Sequence, residues 1–306
     1  MKNPYAPTRS FIRNSRHGLM VMGLMTAALH GHAQLSLIAP GTPQAIDFDN
    51  TVAGVSNGAW AGNGFQPVPT AGQLSSNAFS SYGWNSGTLN IGGTQTTSGT
   101  DYRRGSTAPG NAPVLVGGLW SFGGPGITGR ALGIQPSTGD LVPGFIGLRI
   151  QNNTGVNLTA FDIAFNLFYR NDQPRATSFE LRYSSDNVSF TAIPAVNVVS
   201  PAAAVGTAWV PNLRNTTITN LNIVPGGYLY LRWYSDDAGG TGNRDEFALD
   251  DISVTGHVST SVAIVGSAAS VTETVGTFPI PAAIVNPDPV NPTTVDLVLI
   301  SGPADR

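Results

Sequence analysis

The densest concentration of chemistry in this sequence is Ser235-Asp-Asp-Ala-Gly-Gly-Thr-Gly-Asn-Arg-Asp-Glu246, followed by Asp250-Asp251. Six carboxylates (Asp236, Asp237, Asp245, Glu246, Asp250 and Asp251) fall within sixteen residues. Carboxylates and the carbonyls of a glycine-rich loop are the oxygen donors that a hard cation such as calcium takes. The spacing is not that of an EF-hand, so the expected site is irregular, built from Asp236, Asp237, Asp245 and Asp250. Asp49, or its neighbour Asp47, is expected to join them, because the two ends of a domain often lie close together. Asp250 shares a two-residue phase with Ile252 and Val254. Unless a bulge intervenes it points toward the core, where a carboxylate needs a cation or strong hydrogen bonds. Backbone N–H donors, or a pairing with Arg130 or Arg232, are the alternatives.

A second cluster lies in Tyr169-Arg-Asn-Asp-Gln-Pro-Arg175. Tyr169, Asn171, Gln173 and Arg175 combine an aromatic face with polar donors, the two features that hold a sugar's apolar face and its hydroxyls. An ordinary connection between strands has the same composition.

Other chemistries lack their residues. Cysteine is absent, and Lys2 is the only lysine. Histidine occurs at positions 17, 30, 32 and 257. Beyond residue 33 only His257 remains, between two apparent units, where it reads as a hinge residue rather than a triad base. Zinc catalysis draws on several His or Cys ligands, which this chain lacks. Glycoside hydrolysis needs only two carboxylates. Glu180 shares a strand with Arg182, and Glu246 beside Asp245 is a candidate acid with a neighbour-raised pKa. Solvated acids explain both equally well.

The N-terminus reads as an address. Lys2, Arg9, Arg13 and Arg16 precede the uncharged run Gly18–Leu29, and Gly31-His-Ala33 supplies small residues at a cleavage site. This predicts a signal peptide over residues 1–33 and a mature chain from Gln34, exported to the extracellular side of a bacterial envelope. The apolar run is shorter than the roughly 20 residues a membrane span needs. Beyond residue 33, eleven arginines face eighteen acids, a net charge of −7. That balance argues against a nucleic-acid partner, which requires a basic footprint, and against attraction to anionic lipid.

The elements that must position these residues are strands. Phe161, Ile163, Phe165, Leu167 and Tyr169 alternate with polar or small residues; so do Phe179, Leu181 and Tyr183. Leu229, Leu231 and Trp233 alternate with Tyr230, Arg232 and Tyr234. Period two of this kind marks strands with one buried face. Weaker strands are expected at 46–48, 80–84, 114–122, 145–151, 193–199, 217–223 and 247–254. Residues 51–110, rich in Gly, Ser, Asn and Thr, are expected to hold one or two strands and long loops. The reading is all-β: a jelly-roll type two-sheet sandwich over residues 34–257, then a partial segment over 258–306 with strands at 262–265, 271–278 and 294–301.

Two resemblances bear on this. Gly129-Arg-Ala-Leu-Gly133, Asn152-Asn-Thr-Gly155, Tyr183-Ser-Ser-Asp186, Leu231-Arg-Trp233 and Phe247-Ala-Leu-Asp-Asp-Ile-Ser-Val254 resemble a jelly-roll domain of large secreted bacterial surface proteins. Val271-Thr-Glu273, Gly276-Thr-Phe278 and Thr294-Val-Asp-Leu-Val298 resemble the opening half of a Calx-beta domain with Ig-like strands. Of the calcium positions that the Calx-beta resemblance implies, only Glu273 is matched.

Three functions follow as expectations. The first is a secreted or cell-surface, non-enzymatic, adhesin-like interaction module, stabilised by structural calcium. The second is a carbohydrate-binding module whose partner is an extracellular polysaccharide or cell-surface glycan. The third is an acid-pair hydrolase. A groove lined by Tyr or Trp would favour the second, and two inward carboxylates about 5–10 Å apart in a cleft the third.

Overall fold

The computed structural model describes residues 34–107, 113–265 and 281–285. Its strands, in chain order, begin with β1 (Leu35–Leu37), β2 (Gln44–Ile46), β3 (Ser56–Asn57), β4 (Phe65–Gln66), β5 (Gln73–Ser75), β6 (Phe79–Trp84) and β7 (Gly87–Leu89). The long strands follow: β8 (Gly118–Gly124), β9 (Ile127–Gln135), β10 (Gly144–Asn152), β11 (Ala160–Arg170) and β12 (Arg175–Ser184). Next come the short β13 (Thr191–Ala192) and β14 (Val198–Val199), then β15 (Val210–Ile218), β16 (Tyr228–Gly240) and β17 (Glu246–His257). A separate pair, β18 (Ser261–Ile264) and β19 (Ala282–Val285), ends the described chain.

Two sheets carry the fold. Sheet A has the order β13-β12-β16-β10-β6-β7, with β1 and β14 at its margins; sheet B has the order β15-β11-β17-β9-β8, joined by β2. From β9 to β12, and again from β15 to β17, each long strand lies in the sheet opposite its predecessor. That alternation is jelly-roll connectivity.

Strict alternation along the long strands builds the core. On β16, Leu229, Leu231 and Trp233 are buried while Tyr228, Tyr230, Arg232 and Tyr234 are half-buried on the other face. Trp233 meets Phe165 of sheet B edge-on at 5.6 Å, and Phe179 stacks on Phe247 at 5.0 Å. Aromatic pairs of this geometry contribute about 0.5–1.5 kcal/mol each beyond the area they bury.

The glycine-rich segment packs as a lid on this core. Its strands form the small sheet β3-β5-β4, and Trp60, Phe65 and Tyr102 are fully buried. Phe65 lies 5.4 Å from Trp60 and 6.2 Å from Tyr102.

Several expected boundaries move. The strand expected at 217–223 is β15, lying earlier, at Val210–Ile218. The segment 193–199 is a 3-10 turn at Pro194–Val196 followed by two strand residues, because proline interrupts the ladder. His257 is the last residue of β17, paired with Ala160. The first expected C-terminal strand is β18; the residues carrying the Calx-beta resemblance, 271–278 and 294–298, lie outside the described residues, as does the leader.

Candidate functional site

The outward positions of sheet A form rows set by strand register. Tyr234 of β16 pairs with Phe145 of β10 and Glu180 of β12, and Phe145 in turn pairs with Tyr82 of β6. The next row is Arg182, Arg232, Gly147 and Ser80; beyond it Arg149 pairs with Tyr230, and Gln151 with Tyr228. Outward strand positions usually carry small polar or charged side chains, yet here rings and guanidinium groups interleave across four strands, β6, β10, β12 and β16.

The contacts are close. Tyr82 stacks on Phe145 at 6.0 Å, and Phe145 lies 5.3 Å from Tyr234. The Arg232 guanidinium sits 4.0 Å from the Phe145 ring centre and 3.8 Å from that of Phe190, held between two phenyl faces. Arg182 lies 4.2 Å over Tyr234, and Arg149 4.7 Å over Tyr228. Such cation–π contacts fix an otherwise flexible side chain. Arg149 also donates through Nε to the Asn77 carbonyl at 2.9 Å, and Arg232 through Nη2 to Asn187 Oδ1 at 3.0 Å. Burial lowers the pKa of Arg232 from its ordinary value, an effect its contact with Tyr234 partly offsets. Tyr82 is 55% exposed, while Tyr234 and Arg232 are half-buried and Phe145 is buried beneath them. Gly147 in the middle row is buried, and the Ser80 hydroxyl occupies its outer side: a Cβ there would lie 2.6 Å from Ser80 Oγ. At one end of the face, Pro143, Glu180, Arg182, Tyr234 and Asp236 line a depression of 200 Å³.

The acidic residues do not assemble as the sequence suggests. Asp237 is bound by Arg175 at 3.0 Å and Arg244 at 2.7 Å. Asp236 is exposed beside it on β16. Asp245 is fully buried elsewhere, and burial pushes its pKa up to about 7, with the Asp172 charge adding to the rise and the Ser200 hydroxyl opposing it. Glu246 is buried 3.6 Å from Arg170 and accepts the Val114 N–H at 2.7 Å. Its pKa also rises to about 7, with burial rather than the neighbouring Asp245 as the leading cause. Neither acid faces an open cleft with the other, as hydrolysis would require.

Asp250 does approach Asp49, but not in the expected phase. A bulge separates the pairs Ala164–Ser253 and Asn166–Asp250, and Asp251 adopts φ 48° there. The phase flips, so Asp250 lies on the same side of sheet B as Ala248, away from the inter-sheet core, yet it is buried. Burial first, then the nearby carboxylates Asp251, Asp49 and Asp47, push its pKa up to about 8 against one backbone N–H bond from Asp251. Asp49 accepts the Arg130 N–H at 2.6 Å. Among the described residues, no three Asp, Glu or His side chains form a group able to hold a metal ion on their own.

The loop after β11 is built into the protein. Asn171 is fully buried, its side-chain amide donating to the Pro201 carbonyl and its backbone carbonyl accepting the Val205 and Gly206 N–H groups. Arg175 is engaged by Asp237, and Tyr169 packs against the core. Only Gln173 keeps a half-exposed side chain free of strong ties to the core. The neighbouring Arg170 is buried over the Trp209 ring at 4.4 Å.

On the outer face of sheet B, Asp162, Ala164, Asn215, Thr217, Ser253 and Thr255 line a depression of 280 Å³ without an aromatic ring. His257 Nε2 lies 2.8 Å from Asp162 Oδ2 at its margin.

No family model matches the chain, and no curated protein matches it. Among solved structures, the K1 cleaved adhesin domain of Lys-gingipain from Porphyromonas gingivalis W83 is 13% identical, covering 70% of this chain and 98% of that one, with a TM-score of 0.32. TmCBM61 in complex with β-1,4-galactotriose is 13% identical over 42% of this chain and 72% of its own, with a TM-score of 0.26. The CBM22-1 xylan-binding domain of Paenibacillus barcinonensis Xyn10C is 11% identical over 43% and 76%, with a TM-score of 0.26. These likenesses are too distant to transfer a ligand; strand order and packing define this chain as an all-β sandwich of jelly-roll type.

Proposed function

We propose that this chain is a non-enzymatic binding module, secreted or displayed at a cell surface, that takes a glycan across the outer face of sheet A. The observation that carries the reading is the row Tyr82, Phe145 and Tyr234, with Tyr82 exposed, Tyr234 half-buried and Phe145 buried beneath its neighbours, flanked by arginines held on rings. Sugars present apolar C–H faces to aromatic rings and hydroxyls to fixed donors, and this face offers both. An adhesin-like role and a polysaccharide-binding role share this chemistry; a surface glycan satisfies both.

The test is affinity gel electrophoresis, then calorimetry, against a panel of soluble neutral and acidic polysaccharides. The expected result is retardation by at least one polymer, with Tyr234→Ala weakening affinity about tenfold, as loss of a central aromatic anchor does. No retardation by any polymer, or unchanged affinity in Tyr234→Ala, overturns the reading.

A structural calcium ion at Asp49 and Asp250 is a second, smaller part of the proposal. What supports it is placement: β2 pairs with β17 at Ile46–Ile252, so the chain that continues into Asp47 and Asp49 runs beside the buried Asp250. Calcium takes six to eight oxygens, so backbone carbonyls and water would complete the shell. Asp236, Asp237 and Asp245 have no part in it. Excess calcium at about 100 times its dissociation constant should then stabilise the fold by roughly 2.7 kcal/mol, and Asp250→Ala should abolish the shift. An unchanged unfolding midpoint in calcium and in chelator overturns it.

A further inference from the structure

Beyond residue 33 the chain carries eleven arginines and eighteen acids, so cations are scarce. Three arginines nevertheless lie on the outer face of sheet A: Arg149, Arg182 and Arg232. The acids on the same face are Glu180 and, at its end, Asp236. Glu180 is spent on Arg182, at 3.1 Å. Among the described residues no carboxylate pairs with Arg149 or Arg232. Elsewhere Arg104, Arg170, Arg175 and Arg244 each have an acidic partner, whereas Arg103, Arg130 and Arg214 bond to backbone carbonyls or an amide instead.

Arg232 is the more informative of the two. Its guanidinium is held between the Phe145 and Phe190 rings, and its edge makes the hydrogen bonds, one of them to Asn187 Oδ1. A guanidinium edge is a planar fork that matches a carboxylate or sulfate, and clamping removes the rotamer entropy that binding would otherwise cost. The rings also strip water from the cation, which strengthens its attraction to an anion. Gly147, next to Arg232 in the row, adds no side chain of its own, and the small Ser80 hydroxyl takes that place. Arg149 stands one row further along, beside Tyr228 and Tyr230, where the next sugar of an extended chain would lie.

Resting on the proposed glycan-binding function, we infer that the ligand is an acidic polysaccharide, its anionic groups held by Arg232 and Arg149 and its sugar faces by the tyrosines between them. Uronate carboxylates and sulfate esters share this chemistry.

The test uses the full chain in calorimetry against polygalacturonate, a sulfated galactan and an unsubstituted galactan. The acidic polymers should bind at least about tenfold more tightly than the neutral one, since a hydrogen-bonded charge is lost with it. Their affinity should fall as salt rises from about 0.05 to 0.5 M, as screening requires. Preference for polygalacturonate assigns the carboxylate as the anion, and preference for the sulfated galactan assigns the sulfate. Arg232→Gln should remove the preference for acid while leaving residual neutral binding. Should that variant fail to fold, Arg149→Gln and the wild-type salt dependence decide the matter. Equal binding of neutral and acidic polymers, abolished by Tyr234→Ala, overturns the acidic specificity and leaves the glycan face standing. Binding to none of them, with binding to other neutral glycans, overturns it likewise. Binding to no glycan at all overturns both.

Discussion

Asp245 provides a stability switch whose sign and size follow from its surroundings. The residue is fully buried, and its one polar neighbour that favours the charged form is the Ser200 hydroxyl. Burial raises its pKa from 3.8 to about 7. Because the folded value exceeds the unfolded one, the native state keeps a proton that the unfolded chain releases. Stability from this group is therefore intact below about pH 4, is withdrawn as pH rises, and reaches its floor above about pH 7. Between pH 5 and 8.5 the folded group crosses about two units of this window, which corresponds to about 3 kcal/mol at about 1.4 kcal/mol per unit. Asp245→Asn removes the charge while keeping the shape. Urea unfolding of both proteins at pH 5 and pH 8.5 isolates the group, since other titrations are common to the two. The expected result is that the variant's advantage over wild type grows by about 3 kcal/mol from the lower pH to the higher. The same pH dependence in both proteins would refute the reasoning.

Two further outcomes follow from packing. Trp233 is 1% exposed and meets Phe165 edge-on across the sheets, so Trp233→Ala should cost about 3–5 kcal/mol in denaturant unfolding; a loss below about 1 kcal/mol would contradict the core described here. Gly129 has φ 73°, and a Cβ there would fall 1.9 Å from Asp49 Oδ2, so Gly129→Ala should destabilise by more than about 1 kcal/mol, against a gain if the site were permissive.

Much of the architecture was legible because its signal is local. Leu229, Leu231 and Trp233 point inward as period two requires, and Tyr230, Arg232 and Tyr234 point outward. The candidate face was therefore present in the alternation itself: Tyr and Arg at outward positions where Ser or Thr would serve. What the sequence lacked was register. Only pairing brings Phe145 and Tyr82 beside Tyr234, across residues far apart in the chain. The acidic segment misled for the same reason. Six acids close in sequence divide between the tail of β16, the head of β17 and the far side of a bulge at Asp251. A bulge reverses the facing of every residue beyond it, and nothing in Asp250-Asp251 announces one. The loop at 169–175 looked open by composition, yet burial of Asn171 and Arg170 closes most of it.

The most direct test of the central claim is to map where a bound glycan lies, by hydrogen–deuterium exchange of the full chain with and without the tightest-binding polymer from the panel. Protection concentrated in β6, β10, β12 and β16, across the face that carries Tyr82, Phe145, Arg232 and Tyr234, is the predicted result. Protection confined to the loop from Asn171 to Arg175, or to the outer face of sheet B, would contradict it.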